Sequence, residues 1–179
     1  MPLSQLRDRA SSTKDSPPDL RGEPIWDVIE LLFFAYRDFV GDADEALAEF
    51  GFGRAHHRVL HFVTRHPGMK VADLLGILNI TKQSLARVLK QLVDEDYVLQ
   101  KEGANDRRQR LLYATPKGEA LAMKLAILQT QRIARAFADI GTEAHEQARS
   151  FLLAMIDGRE REHVLQLIAR ADRLRQARS

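Results

Sequence analysis

Residues 71–94 read VADLLGILNITKQSLARVLKQLVD, and the way this stretch breaks into two helices decides the fold. Val71, Leu74, Leu75 and Leu78 recur at i, i+3, i+4 and i+7, the spacing that lines one face of a helix. Asn79 suits a tight turn, and Thr81 is a residue whose side-chain oxygen can cap the first N–H groups of a following helix. Ile80 and Leu85 then fall at the N′ and N4 positions of a hydrophobic staple, which fixes the angle at which the chain enters that helix. Two short helices joined this tightly predict a helix-turn-helix.

The second of these helices separates its faces. Leu85, Val88, Leu89 and Leu92 form an apolar stripe, while Gln83, Arg87 and Lys90 point the opposite way, with Ser84 and Gln91 beside them and Thr81 and Lys82 at the start. Amide, guanidinium, ammonium and hydroxyl groups on an exposed face are the donors and acceptors that read base edges and hold phosphates. Thr81, Lys82, Gln83, Ser84, Arg87 and Lys90 are therefore the candidate DNA contacts on this helix. A solvated surface helix can carry the same face, so the residues that follow have to decide.

They read YVLQKE at 97–102 and RLLYA at 110–114, two strand-like runs around the tip GANDRRQR at 103–110, which predicts a β-hairpin. Like charges crowded on a loop repel unless they meet a polyanion. Arg107 and Arg108 on a protruding tip can reach a minor groove or the phosphates beside it, where negative potential concentrates. Asp106 is placed to hold a guanidinium in a bidentate pair, so that less side-chain entropy is lost on binding. An exposed ion pair touching nothing is the plain alternative, worth ~0 to 1 kcal/mol.

Outward from this unit the chain becomes helical and apolar. Residues 24–40 are apolar on nearly every side, 42–50 suggest a short helix capped by Asp42 or Asp44, and 54–66 form a helix ended by Pro67 and Gly68. The spaced carboxylates of residues 42–49 lack the downstream glycine and terminal glutamate of a calcium loop. Thr115 and Pro116 start a long helix that Gly141 ends, and a second is expected over 143–171. Helices this long, with apolar stripes, ask for cover from a partner chain. The expected fold is mainly α with a small two- or three-stranded β wing, a winged helix-turn-helix flanked by long helices that a partner chain would cover. Its expected division is a polar tail at 1–23, dimerisation helices at 24–53, the winged unit at 54–115 and dimerisation helices at 116–179.

This order of elements resembles the MarR family of bacterial transcription regulators, over about residues 24–172 by architecture and most densely from Val71 to Gly118. Asp106, Arg108, Thr115 and Gly118 match the family's Asp-x-Arg wing and Thr-x-x-Gly helix start, whereas Ala114 stands where leucine is usual and Lys70 is a poor cap for the first helix of the pair. The resemblance implies a winged helix-turn-helix embedded in an intertwined helical dimer, an obligate homodimer on a pseudo-palindromic double-stranded DNA operator, acting as a repressor released by a small aromatic or phenolic acid. That effector would lie near helices 24–40, 54–66 and the start of 116–140. There Trp26, Phe33 and Tyr36 could cover a ring, Arg37 could pair with a carboxylate, and His56 or His57 could donate a hydrogen bond.

Composition narrows the alternatives. The 179 residues contain no cysteine, which excludes thiol redox sensing and cysteine-ligated metal sites. Neither a glycine-rich phosphate loop nor a nucleophile motif is present, so no enzyme activity and no cofactor are expected. The longest apolar run, Leu31 to Tyr36, is far short of the roughly 20 residues that span a bilayer, and no signal-peptide pattern opens the chain, so no membrane partner and a cytoplasmic location are expected. Net charge is +2 overall but −6 over residues 1–53, +6 over 54–124 and +2 over 125–179. A basic middle fits a nucleic-acid-binding module. His57 and His61, one helical turn apart, are the only metal candidates, as two ligands of a zinc or nickel sensor of the same fold. A winged helix that binds protein instead of DNA is the remaining alternative.

Overall fold

The computed structural model describes residues 22–103, 106, 108–141 and 143–177. The expected N-terminal tail, up to residue 21, and Arg107 of the wing tip lie outside the described residues. The chain divides into two units, one ending at Tyr36 and the other beginning at Arg37.

Seven helices and three strands are described: α1 Trp26–Ala48, α2 Arg54–Arg65, β1 Met69–Lys70, α3 Val71–Leu78, α4 Lys82–Asp94, β2 Val98–Glu102, β3 Arg110–Ala114, α5 Pro116–Ile140, α6 Ala144–Met155 and α7 Arg161–Gln176. The strands form one antiparallel sheet in the order β1-β3-β2. Val98 faces Ala114 and Glu102 faces Arg110 across the hairpin, and Met69 pairs with Leu112 on its other side. The wing is thus three-stranded.

The core lies in the second unit. Leu47 of α1, Val59, Leu60 and Val63 of α2, Leu74 and Leu78 of α3, Leu85, Leu89 and Leu92 of α4, Val98 and Leu112 of the wing and Leu121 and Leu125 of α5 are all buried in a single cluster. Of the stripes that the periodicity of residues 71–94 predicts, the one on α4 is buried, with Val88, and on α3 Leu74 and Leu78 are buried while Val71 and Leu75 pack against the cluster partly exposed. Asn79 takes a left-handed conformation, φ 48°, to turn from α3 into α4, and its N–H returns to the Leu75 carbonyl.

Two expected boundaries are corrected. Helix α1 does not stop at Val40 but runs through Gly41 to Ala48. A glycine inside a helix costs only about 1 kcal/mol, while Val40, Ala43 and Leu47 continue one buried face across it. Asp42 and Asp44, read as caps, pair instead with Arg132 at 2.8 Å and Arg54 at 2.7 Å. The single C-terminal helix expected over 143–171 is broken after Met155. Asp157 turns the chain by accepting from the Arg159 N–H at 3.0 Å, and the Arg161 guanidinium takes up the carbonyls of Ala154 and Ile156 that the break leaves open.

Candidate nucleic-acid interface

Helix α4 starts as the sequence requires. The Thr81 hydroxyl oxygen accepts from the Ser84 N–H at 3.1 Å and its O–H donates to Ser84 Oγ at 2.8 Å. With the apolar stripe of α4 pressed into the core, Thr81, Lys82, Gln83, Arg87 and Lys90 are exposed and Ser84 is half-buried. Lys90 is less available than its position suggested, because its ammonium pairs with Asp94 one turn on. Helix α3 has no side-chain cap at Lys70, as expected of that residue, and Lys70 is left exposed beside α4.

The wing tip is folded by Asp106. Its Oδ1 accepts from the Arg108 backbone N–H at 2.9 Å and its Oδ2 lies 3.4 Å from the Gln109 side-chain amide. Its carbonyl accepts from the Gln109 N–H, whose own carbonyl takes the Gly103 N–H. Among the described residues the carboxylate therefore shapes backbone, where the sequence suggested that it grips a guanidinium. The outcome for DNA is similar, since the turn fixes where Arg108 leaves the chain, and the Arg108 side chain stays exposed. At the base of the tip Arg110 pairs with Glu102 across the strands at 2.9 Å.

Between α3, α4 and the wing runs a groove of about 970 Å³ with an apolar floor that includes Leu75, Ala86 and Val93. Five cations and two carboxylates, Asp73 and Asp94, line it. Lys70, Lys82 and Arg108 bring positive charge to it from three separate elements, and attraction to a polyanion is the physical consequence.

A clamp sets the far end of α4. The helix ends at Glu95, Asp96 takes φ 59°, and the Tyr97 N–H returns to the Leu92 carbonyl. The start of α5 closes on this turn. Thr115 donates to the Asp96 carbonyl at 2.7 Å and accepts from the Gly118 N–H at 3.0 Å. Lys117 donates to the Glu95 carbonyl at 2.8 Å while its ammonium sits 4.1 Å from the Tyr97 ring centroid. Gly118 passes so close that a Cβ there would stand 2.0 Å from the Tyr97 carbonyl oxygen. Sequence reading singled out Thr115 and Gly118 but missed Lys117, whose only signal was its place inside the Thr-x-x-Gly motif. It also missed Arg58, whose guanidinium donates to the Leu78 carbonyl at 2.9 Å and so closes the end of α3.

The candidate effector residues are dispersed in character. Trp26, Phe33 and Tyr36 are exposed on α1, and Arg37 is paired with Asp38 at 2.8 Å. His56 is half-buried, with both ring nitrogens in hydrogen bonds. His57 is buried, and burial lowers its pKa from the usual histidine value against a small opposing pull from Asp44. Of the metal pair, His61 is exposed and its ring packs edge-on to Phe62. Among the described residues no group of three His, Asp or Glu is placed to hold a metal ion.

Comparison with known proteins agrees with this arrangement. Residues 50–109 match the model described as MarR family. The chain is 42% identical over 144 residues to the HTH-type transcriptional regulator PetP of Rhodobacter capsulatus, covering 80% of this chain and 87% of that protein. It is similar in fold to the crystal structure of MarR, with a TM-score of 0.62, 19% identity and coverage of 84% of this chain and 98% of the other. A point mutant of Staphylococcus aureus MepR bound to an oligodeoxyribonucleotide is also similar, with a TM-score of 0.53, 18% identity and coverage of 75% and 97%.

Proposed function

Because the chain belongs to the MarR family of helix-turn-helix transcriptional regulators, we propose that it acts as a homodimeric repressor, reading a pseudo-palindromic operator with α4 in the major groove and the wing tip on the flanking backbone. The observations that carry the DNA reading are the exposure of Gln83 and Arg87 on α4 and of Arg108 on the wing, together with the groove that Lys70, Lys82 and Arg108 line. Base-reading groups and phosphate-holding groups are thereby presented by elements of one compact unit. The MepR mutant whose structure contains an oligodeoxyribonucleotide supports the same use of the fold.

The dimer reading is supported by apolar surface. Helix α1 exposes Trp26, Leu31, Phe33 and Phe34, α5 exposes Ile140, and α6 exposes Phe151, Leu152 and Met155. Large exposed apolar side chains of this kind mark association surfaces. A two-fold dimer places its recognition helices about 34 Å apart, one turn of DNA. Release by a small aromatic acid is part of the same proposal, with Trp26, Phe33 and Tyr36 as ring-covering surface, and titrating the protein–operator complex with such acids tests it. Selection from a random DNA pool tests the core of the reading. The expected product is an inverted repeat with one-turn spacing. Enrichment of a single half-site, or of no sequence, contradicts it.

A further inference from the structure

Helix α4 is held along one flank by a directed row of hydrogen bonds. The Gly53 N–H reaches His56 Nδ1 at 3.1 Å, His56 Nε2 lies 2.9 Å from Gln91 Oε1, and Gln91 Nε2 reaches Glu95 Oε1 at 3.0 Å. Both ends of the row are chemically fixed, since a backbone N–H can only donate and a carboxylate can only accept. Every bond between them must then point the same way. His56 accepts at Nδ1 and donates from Nε2, so its ring is neutral and in the Nε2–H tautomer, with no nitrogen left for a ligand. Phe52 stacks on the ring at 4.7 Å with the planes 10° apart, and meets Tyr97, the residue that follows the turn ending α4, edge-on at 5.1 Å.

Gln83, Arg87, Gln91 and Glu95 stand at successive i, i+4 positions, so a constraint at Gln91 is a constraint on the row that carries the base-reading groups. The apolar stripe of α4 is held in the core by non-directional packing, which sets depth well and roll poorly. At the roughly 5 Å outer radius of a helix, a roll of about 10° moves a side chain by about 1 Å, enough to spoil a bidentate contact to a base. A hydrogen bond resists that roll because it is directional.

We propose that His56 is a positioning residue for sequence reading. Through Gln91 it fixes the roll of α4, and with it the aim of Arg87 and Gln83, while taking no part in contact with DNA. This rests on the DNA reading of α4 above.

The test has two arms. In the first, ¹⁵N-histidine NMR of the wild-type protein without DNA is expected to show His56 Nδ1 bare and Nε2 protonated at neutral pH. In the second, His56→Asn keeps a carbonyl that can take the Gly53 N–H but is too short to reach Gln91, and Gln91→Met keeps the size of the side chain and removes its acceptor. Each variant is expected to lose about ten-fold in preference for the selected operator over random DNA, the size of one impaired base contact. Non-specific binding and melting temperature should stay near wild type. An Nδ1–H tautomer overturns the proposal, and so does wild-type discrimination in both variants, or a loss of discrimination matched by equal losses of non-specific binding and melting temperature. If the wild-type protein itself prefers no sequence, the DNA reading and the positioning role fall together. The tautomer from the first arm shows whether the hydrogen-bond row survives as structure alone.

Discussion

Leu85, Leu89 and Leu92 on α4 are at most 3% exposed, whereas Trp26 and Phe33 on α1 are 62% and 70% exposed. Both helices are rich in large apolar residues, yet among the described residues the apolar stripe of α4 is covered and the apolar side chains at the start of α1 are not. Polar groups divide in the same way. Around α4 the open ends of helices are met by named donors, Arg58 on the end of α3 and Lys117 and Thr115 on the turn after α4. The first turns of α1 are mostly apolar, with Asp27 and Glu30 among exposed large side chains. The winged unit covers its apolar stripes within one chain, whereas the arm leaves large apolar side chains exposed, the surface that the proposed dimer would use.

That contrast breaks first at the arm. In the proposed two-fold dimer Phe33→Asp removes an aromatic that association would cover in each subunit, and at about 2 kcal/mol per side chain the symmetric loss is about 4 kcal/mol of association. Sedimentation at micromolar concentration should then show a monomer in place of a dimer, with operator binding lost alongside. An unchanged dimer would remove α1 from the interface. The next largest effect lies inside the winged unit. Gly118→Ala puts a methyl group 2.0 Å from the Tyr97 carbonyl oxygen, and forcing that clamp open should cost about 3 kcal/mol. The urea midpoint should fall with an unchanged slope, and dimerisation should be spared.

The unit's features were legible in the sequence to different depths, for physical reasons. Thr81, Pro116 and the stripe through Leu85 and Leu92 act within a turn or two of themselves, so their spacing already states the structure. Gly41 misled because a glycine reads as a breaker in isolation, while the helix is kept by burial of Ala43 and Leu47 and by the Arg132–Asp42 pair across 90 residues. The break after Met155 had its signal in Asp157–Gly158, a turn dipeptide outweighed by the apolar spacing on either side. Asp106 could be placed at the tip but not assigned its backbone partners. His56 and Gln91 are 35 residues apart, and nothing in either segment names the other.

A smaller effect sharpens the division of labour within the winged unit. Lys70 leaves α3 uncapped while lining the cation-rich groove, so on the proposed DNA reading its charge comes at the expense of the helix. Lys70→Ser should add about 1 kcal/mol to stability by supplying the cap and should weaken DNA binding by removing a cation from each subunit. Chemical denaturation and gel shift on the same preparation would read both signs. Weaker stability or tighter DNA binding would contradict that trade.

The smallest expected effect is one of pH. Burial holds the His57 pKa below its ordinary value, so the unfolded chain takes up that proton first. Stability from this group is complete above a pH of about 6.5 and is lost as the pH falls towards the lower, folded-state value. Melting temperatures should decline on acidification through that range, and less so in His57→Gln. A decline of equal size in both would assign the effect to other groups.

The central claim is that two copies of this winged unit hold DNA phosphates through residues such as Arg108, and the salt dependence of operator binding tests it most directly. Plotted as log Kobs against log salt concentration, wild-type binding should be steep, and Arg108→Ala should reduce the slope by about 1.8, two phosphate contacts at about 0.9 each, because a symmetric dimer loses the contact twice. A slope that does not change, or a wild-type affinity indifferent to salt, would contradict the account.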